Sequence, residues 1–157
     1  MRDLGRFTTR SGKITKFRRI IRSDLPENLS LNEIAFIKKY GVKHIIDLRS
    51  NKSYIERPSA FKQLTGYNYY NIPLSDNPIL SRIDFCPLEH YVAIVSSPNK
   101  IFDILKTISE CGNGAILYHC LVGKDKAGID EWGIMSYCKR IGLTITQIHN
   151  IQSRLLG

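Results

Sequence analysis

Apolar and polar positions run along this chain in two rhythms. Short runs at residues 17–22, 42–48, 67–72 and 115–119 read as strands, and the continuous apolar run 115–118 has the composition of a buried one. Stretches with helical spacing lie between and after them. Ser30 stands where a helix N-cap belongs, Leu31, Ile34, Ala35 and Ile37 form an apolar face behind it, and Gly41 ends the run. Ser97-Pro98 opens a second helix through Glu110, with Ile101, Ile104, Leu105 and Ile108 turned inward and Gly112 at its end. Residues 58–65 hold a short helix, residues 76–86 a loop, and residues 88–95, 127–141 and 144–155 further helices. Strands and helices in alternation predict one α/β domain: a mostly parallel sheet of about four to five strands with helices on both sides.

One strand end carries more chemistry than the others. The run 115–118 leads into His119 and Cys120, and then into Leu121, Val122, Gly123, Lys124, Asp125, Lys126, Ala127 and Gly128. Gly123 and Gly128 let the backbone curl tightly after a strand. Successive N–H groups in such a curl, opening a helix, make a concave electropositive nest for an anion. A thiol in that nest loses its proton more readily than a free cysteine, because the donors stabilise the thiolate. Two other readings compete. A cysteine before a Gly-Lys turn also fits an inert core thiol. A nucleotide-binding loop fails on spacing, since it needs Gly at Tyr118 and Ser or Thr at Asp125.

At these residues the chain resembles the cysteine-dependent protein tyrosine phosphatase superfamily. Within it, the sequence is similar to the bacterial tyrosine and dual-specificity branch whose loop reads His-Cys-x-x-Gly-Lys-Asp-Arg-Thr-Gly. His119, Cys120, Gly123, Lys124, Asp125 and Gly128 match that pattern; Lys126 replaces the Arg, and Ala127 replaces the Ser or Thr. The likeness extends to residues 17–26, to the Ile-Asp-Leu-Arg strand ending at Arg49, and to Asn71-Ile72-Pro73-Leu74. It implies a phosphatase-like sandwich that hydrolyses phosphoric monoesters through a Cys120 cysteinyl-phosphate, with no cofactor or metal. The substrate it implies is a phosphorylated protein or a phosphoinositide. Backbone amides from Leu121 to Lys126 would cradle the phosphate, with Lys124 as an accessory contact. His119 would be buried and hydrogen-bonded, orienting the loop. Asp125 is the first candidate for the general acid and Asp76 the second. Asp47 is expected as a structural hydrogen-bonder at a strand end, and Arg22 and Arg49 as groups that draw in anionic substrate.

The two departures sit where turnover is decided. Arginine grips two phosphate oxygens with a planar fork, whereas lysine offers a point charge on a flexible stem. Loss of one oxyanion donor in other enzymes costs about 3–4 kcal/mol. Ala127 lacks the hydroxyl that would assist the departing thiolate. Asp130, one helical turn beyond Lys126, is placed to pair with it, although acidic residues are also ordinary in a helix's first turn. The alternative to a weak phosphatase is therefore a pseudophosphatase that binds phosphate or phosphoprotein without turning it over.

Composition narrows the class but does not choose between these. The 157 residues are 43% hydrophobic and 24% charged, the balance of a globular domain with a core. Four cysteines, Cys86, Cys111, Cys120 and Cys138, follow neither a disulfide framework nor zinc spacing. Reduced thiols and a basic, polar start without a signal-like run suggest the cytoplasm, and no run is long enough to span a membrane. A protective disulfide from Cys120 to Cys111 or Cys138 is left open. The net charge of +9 is concentrated in residues 1–22, which hold eight basic residues and a single acid, Asp3. Such a stretch fits an anionic membrane surface, RNA or DNA as partner. Taken by itself, it favours a solvated, flexible arm over residues 1–16.

Overall fold

The structure, a computed structural model, describes residues 1–9, 11–74, 97–120 and 138–157. Five strands form one sheet: β1 (Arg2–Asp3), β2 (Ile20–Ser23), β3 (Val42–Asp47), β4 (Asn68–Asn71) and β5 (Ala115–His119). Their spatial order is β1-β2-β5-β3-β4. β5 pairs in parallel with β2 and β3, and β3 in parallel with β4; only the short edge strand β1 is antiparallel. The fold is the α/β sandwich expected from the alternation of strands and helices.

Side chains alternate across the sheet with period two, so each face receives its own apolar set. Ile21, Ile45 and Leu117 point to one face, where they pack with Ile37 of α1 (Leu31–Tyr40) and with Phe61. Ile46, Leu48 and Ile116 point to the other, where Ile101, Ile104 and Ile108 of α3 (Pro98–Glu110) cover them. α4 (Ile145–Leu155) lies outside α3, with Ile148 and Ile151 against Phe102 and Leu105. Helices thus cover both faces.

Local signals set most of these boundaries. Ser30 accepts from the Glu33 N–H while Glu33 reaches back to the Ser30 N–H, a reciprocal cap. At the other end Gly41 has φ +92 and its N–H closes on the last turn of α1, a conformation that glycine adopts without strain. Thr144 and Gln147 repeat the reciprocal cap at the start of α4.

The structure corrects several boundaries. β2 begins at Ile20, not at residue 17, because Arg18 has φ +58, which no extended strand can hold. The inward stripe of α1 is narrower than expected: Leu31 is 84% exposed and Ala35 is exposed too. Two residues are about 200° round a helix, so Ala35 faces away from the buried Ile37. A helix absent from the expected pattern, α2 (Asn51–Glu56), follows β3 with Ser50 as its cap. Within residues 58–65 the helical part is one 3₁₀ turn, Ala60–Lys62. The expected loop at 76–86 and helix at 88–95, and most of the helix at 127–141, lie outside the described residues.

The basic N-terminal stretch is packed on the domain rather than extended into solvent. β1 pairs with β2, and Thr8 bridges Ile14 across a hairpin. Thr15 bridges Leu156, and the Lys16 N–H donates to the Leu155 carbonyl at 2.7 Å.

Candidate active site

Parallel register brings four strand ends to one edge of the sheet. Asp47 on β3 lies beside His119 on β5 and beside Asn71 on β4, while Ser23 on β2 flanks His119 from the other side. Cys120 is the next residue after β5, half-buried, and it packs against the cluster containing Ile46, Leu48 and Ile116. Ligand sites in open α/β sheets form beyond such carboxyl ends. The Leu48 N–H donates to the His119 carbonyl at 2.9 Å, which ties the backbone before Cys120 to the end of β3.

A buried ionic cluster anchors that edge. The Asp47 carboxylate, wholly buried, accepts from Arg49 Nε at 2.9 Å, Arg49 Nη2 at 2.6 Å and the Tyr69 hydroxyl at 2.7 Å. Arg49 Nη1 donates to the Ser53 and Arg57 carbonyls, and the Asn71 amide donates to the Asp47 and Arg49 carbonyls. Burial resists ionisation of Asp47, but the Arg49 hydrogen bonds, a coulombic pull from His119 and the Tyr69 hydroxyl outweigh it and hold the carboxyl below its usual range. Arg49 is also burdened by burial, yet Asp47 beside it favours its charged form still more. Expected as a substrate contact, Arg49 is 2% exposed and its guanidinium is spent inside the protein. This corrects its assignment: the planar fork matches a carboxylate bidentately, and Asp47 is two residues away on the same side of an extended chain.

His119 is fully buried, as expected, and the residues that follow Cys120 in the loop lie outside the described residues. Among the described residues its ring nitrogens make no well-formed side-chain hydrogen bond, and the backbone of Cys120 lies close enough to favour the charged ring slightly. The nearest carboxylate oxygen, Asp47 Oδ1, is 3.7 Å from Nδ1. Burial above all lowers the pKa of His119 to about 4, against the opposing pull of Asp47, so the ring is neutral near neutrality. On the other face of β5, Tyr118 is half-buried, and burial raises its hydroxyl pKa while the Arg22 charge opposes that shift. Arg22, half-buried, is paired in register with Tyr118.

Of the residues expected to do the chemistry, the structure places Cys120 and His119 together at the end of the central strand. Leu121, Val122, Gly123, Lys124, Asp125, Lys126, Ala127 and Gly128 of the loop lie outside the described residues, and so does Asp76. Cys111, Cys120 and Cys138 are not joined in any disulfide. Among the described residues no group of His, Cys, Asp and Glu could hold a metal ion. Tyr69 is a partner of Asp47 that the sequence reading does not name, and Asn71 enters it only as part of Asn71-Ile72-Pro73-Leu74; their signal is a pair of polar groups two residues apart at the end of a strand, on the side that meets Asp47.

A mostly parallel sheet with helices on both faces, and a cysteine just past the carboxyl end of its central strand, is the layout of α/β domains that bind ligands beyond their strand ends. Residues 1–138 match the model described as the tyrosine phosphatase family, and the chain belongs to that family. No curated protein matches it.

Proposed function

We propose that the chain is a phosphoric monoester hydrolase of the protein tyrosine or dual-specificity type, with phosphoinositides as a second substrate class, working through a cysteinyl-phosphate on Cys120. The observation that carries this reading is the position of Cys120, at the carboxyl end of the central strand β5 in a chain of the tyrosine phosphatase family. In the first step the Cys120 thiolate attacks phosphorus; the S–P bond forms and the bond to the leaving oxygen breaks. That oxygen takes a proton from Asp125, or from Asp76 as the second candidate. Water then attacks phosphorus while the same carboxylate takes its proton, the S–P bond breaks to return the Cys120 thiolate, and inorganic phosphate leaves. Amides from Leu121 to Lys126 and the charge of Lys126 would stabilise the oxyanion, with Lys124 as a further contact. His119, neutral and buried, orients the strand end and donates no proton in these steps.

The test is hydrolysis of an aryl phosphate. Cys120→Ser abolishes it on this reading, and Lys126→Arg raises it by about a hundredfold or more, the usual worth of one oxyanion donor. Lys126 and Ala127 favour one other reading, a pocket that binds phosphate without turnover. Tight vanadate binding by a chain with no measurable hydrolysis selects it.

A further inference from the structure

The basic N-terminal stretch makes a fixed surface of arginines and exposed apolar rings. Its one acid, Asp3, is spent on holding that shape: the carboxylate accepts from the Gly5 N–H at 2.7 Å, the Arg18 N–H at 2.9 Å and the Tyr40 hydroxyl at 2.6 Å. Arg6 and Arg18 have φ +67 and +58, the non-glycine residues with positive φ among those described. Residues held in such a conformation cluster where the surroundings need them. Here both guanidinium groups lie over one ring, Arg6 at 4.7 Å and Arg18 at 5.8 Å from the Phe17 centroid, and Arg18 also lies 4.9 Å from that of Tyr40. Phe7, Ile14 and Phe17 remain 43–54% exposed beside them.

We propose that this face docks the protein on a membrane surface bearing anionic headgroups. Arg6 and Arg18 meet the headgroups, and Phe7, Ile14 and Phe17 enter the interface. Charge complementarity selects an anionic partner, and three features favour lipid over nucleic acid. The Phe17 and Tyr40 rings are already overlain by guanidinium groups, so they are poor platforms for stacking bases. Ile14 is aliphatic and half-exposed, which suits an acyl boundary and gives a base nothing to stack on. Basic residues beside exposed apolar side chains combine attraction to anionic headgroups with apolar burial, the two terms that set the strength of peripheral binding. No helix among the described residues is long and apolar enough to cross a membrane, so the contact is peripheral.

The docking face and the thiol lie at opposite ends of the sheet. Arg18 precedes β2, and Tyr40 ends α1 just before β3, whereas Cys120 follows β5, which runs parallel to both strands. A docked molecule therefore keeps its strand carboxyl ends turned away from the surface. This inference does not depend on the proposed reaction.

The experiment is co-sedimentation of the full chain with phosphatidylcholine vesicles, with and without phosphatidylserine. Binding should require phosphatidylserine and weaken with salt. Arg6→Glu with Arg18→Glu should weaken it at least about tenfold, since each base near an anionic surface contributes about 1 kcal/mol. Ile14→Ser, on the exposed hairpin, should weaken it several-fold with no change in melting temperature, which guards against a folding defect in the double variant. Three results overturn the proposal: no binding to either vesicle, equal binding to both, or tighter binding to a single-stranded oligonucleotide than to the phosphatidylserine vesicles.

Discussion

The two ends of the sheet use arginine in opposite ways. At the carboxyl end Arg49 is 2% exposed and donates to Asp47, Ser53 and Arg57, so its charge is cancelled and its fork builds structure. At the amino end Arg6 and Arg18 lie exposed over aromatic rings, and the one carboxylate beside them, Asp3, takes a backbone N–H of Arg18 rather than its guanidinium. The difference teaches that charge in a sequence does not reveal availability. Three arginines of equal formal charge divide into one that holds the fold and two that face solvent, and only their partners distinguish them.

The sharpest way to break this comparison is to strand the buried charge. Asp47→Ala leaves Arg49 unpaired in the interior, and the expected loss is about 3–5 kcal/mol, read as a fall in the urea midpoint. Replacing both partners by apolar residues, Asp47→Leu with Arg49→Met, should recover much of that loss. If Asp47→Ala costs less than about 1 kcal/mol, as a surface pair would, the carboxyl end is not the rigid one.

Acid offers a second probe of the same end. His119 titrates near pH 4 in the folded protein instead of 6.5 because it is buried. Between those values the unfolded chain binds a proton that the folded chain refuses, so stability falls as pH drops through that window. The loss by pH 4 is about 3 kcal/mol from this one group. Burial shifts His44 in the same direction and adds to the slope. Urea unfolding from pH 7 to pH 4 measures it, and His119→Gln should remove the larger part. A slope unchanged by that substitution would place the acid sensitivity elsewhere.

The third effect lies at the amino end. A Cβ on Gly5 would stand 2.5 Å from the Phe17 Cα and 2.8 Å from the Lys16 carbonyl oxygen. Both are backbone atoms with no rotamer to yield, so Gly5→Ala should cost about 1–3 kcal/mol, seen as a lower melting temperature. A smaller effect would mean that the chain crossing beneath Phe17 is looser than the Asp3 hydrogen bonds imply.

How far the sequence revealed these two ends depends on whether the deciding signal was local. Ser30, Gly41 and Thr144 mark helix ends through their own side chains or backbone freedom, and those ends fall where the pattern put them. Residues 115–119 form β5 with the bounds that their apolar run indicated, which places Cys120 at the strand end. Asp47 was legible as a strand-end hydrogen-bonder because a buried carboxylate needs donors. Arg49 was misplaced because its charge suggested an anion outside the protein, while the i, i+2 relation to Asp47 that pairs them on one side was present and unread. α2 was missed since Asn51–Glu56 has no apolar stripe; its Ser53 carbonyl is engaged instead by Arg49, a contact that residue order does not encode. The left-handed backbone at Arg18 has no signature in residue type, so the start of β2 was set too early.

The smallest stability effect separates the two ends most cleanly. Arg18→Gly removes the guanidinium from over Phe17 and Tyr40, an exposed contact worth about 0.5–1 kcal/mol. It also relieves a left-handed backbone at φ +58, which costs an L-residue about 1–2 kcal/mol. Glycine gives back part of that gain through its greater freedom when unfolded, about 0.5–1 kcal/mol. The terms nearly cancel, so the melting temperature should stay within a few degrees of the parent. Binding to phosphatidylserine vesicles should nevertheless fall, because the charge is gone while the fold is not. A large destabilisation would instead make Arg18 a structural residue like Arg49, and the contrast between the two ends would fail.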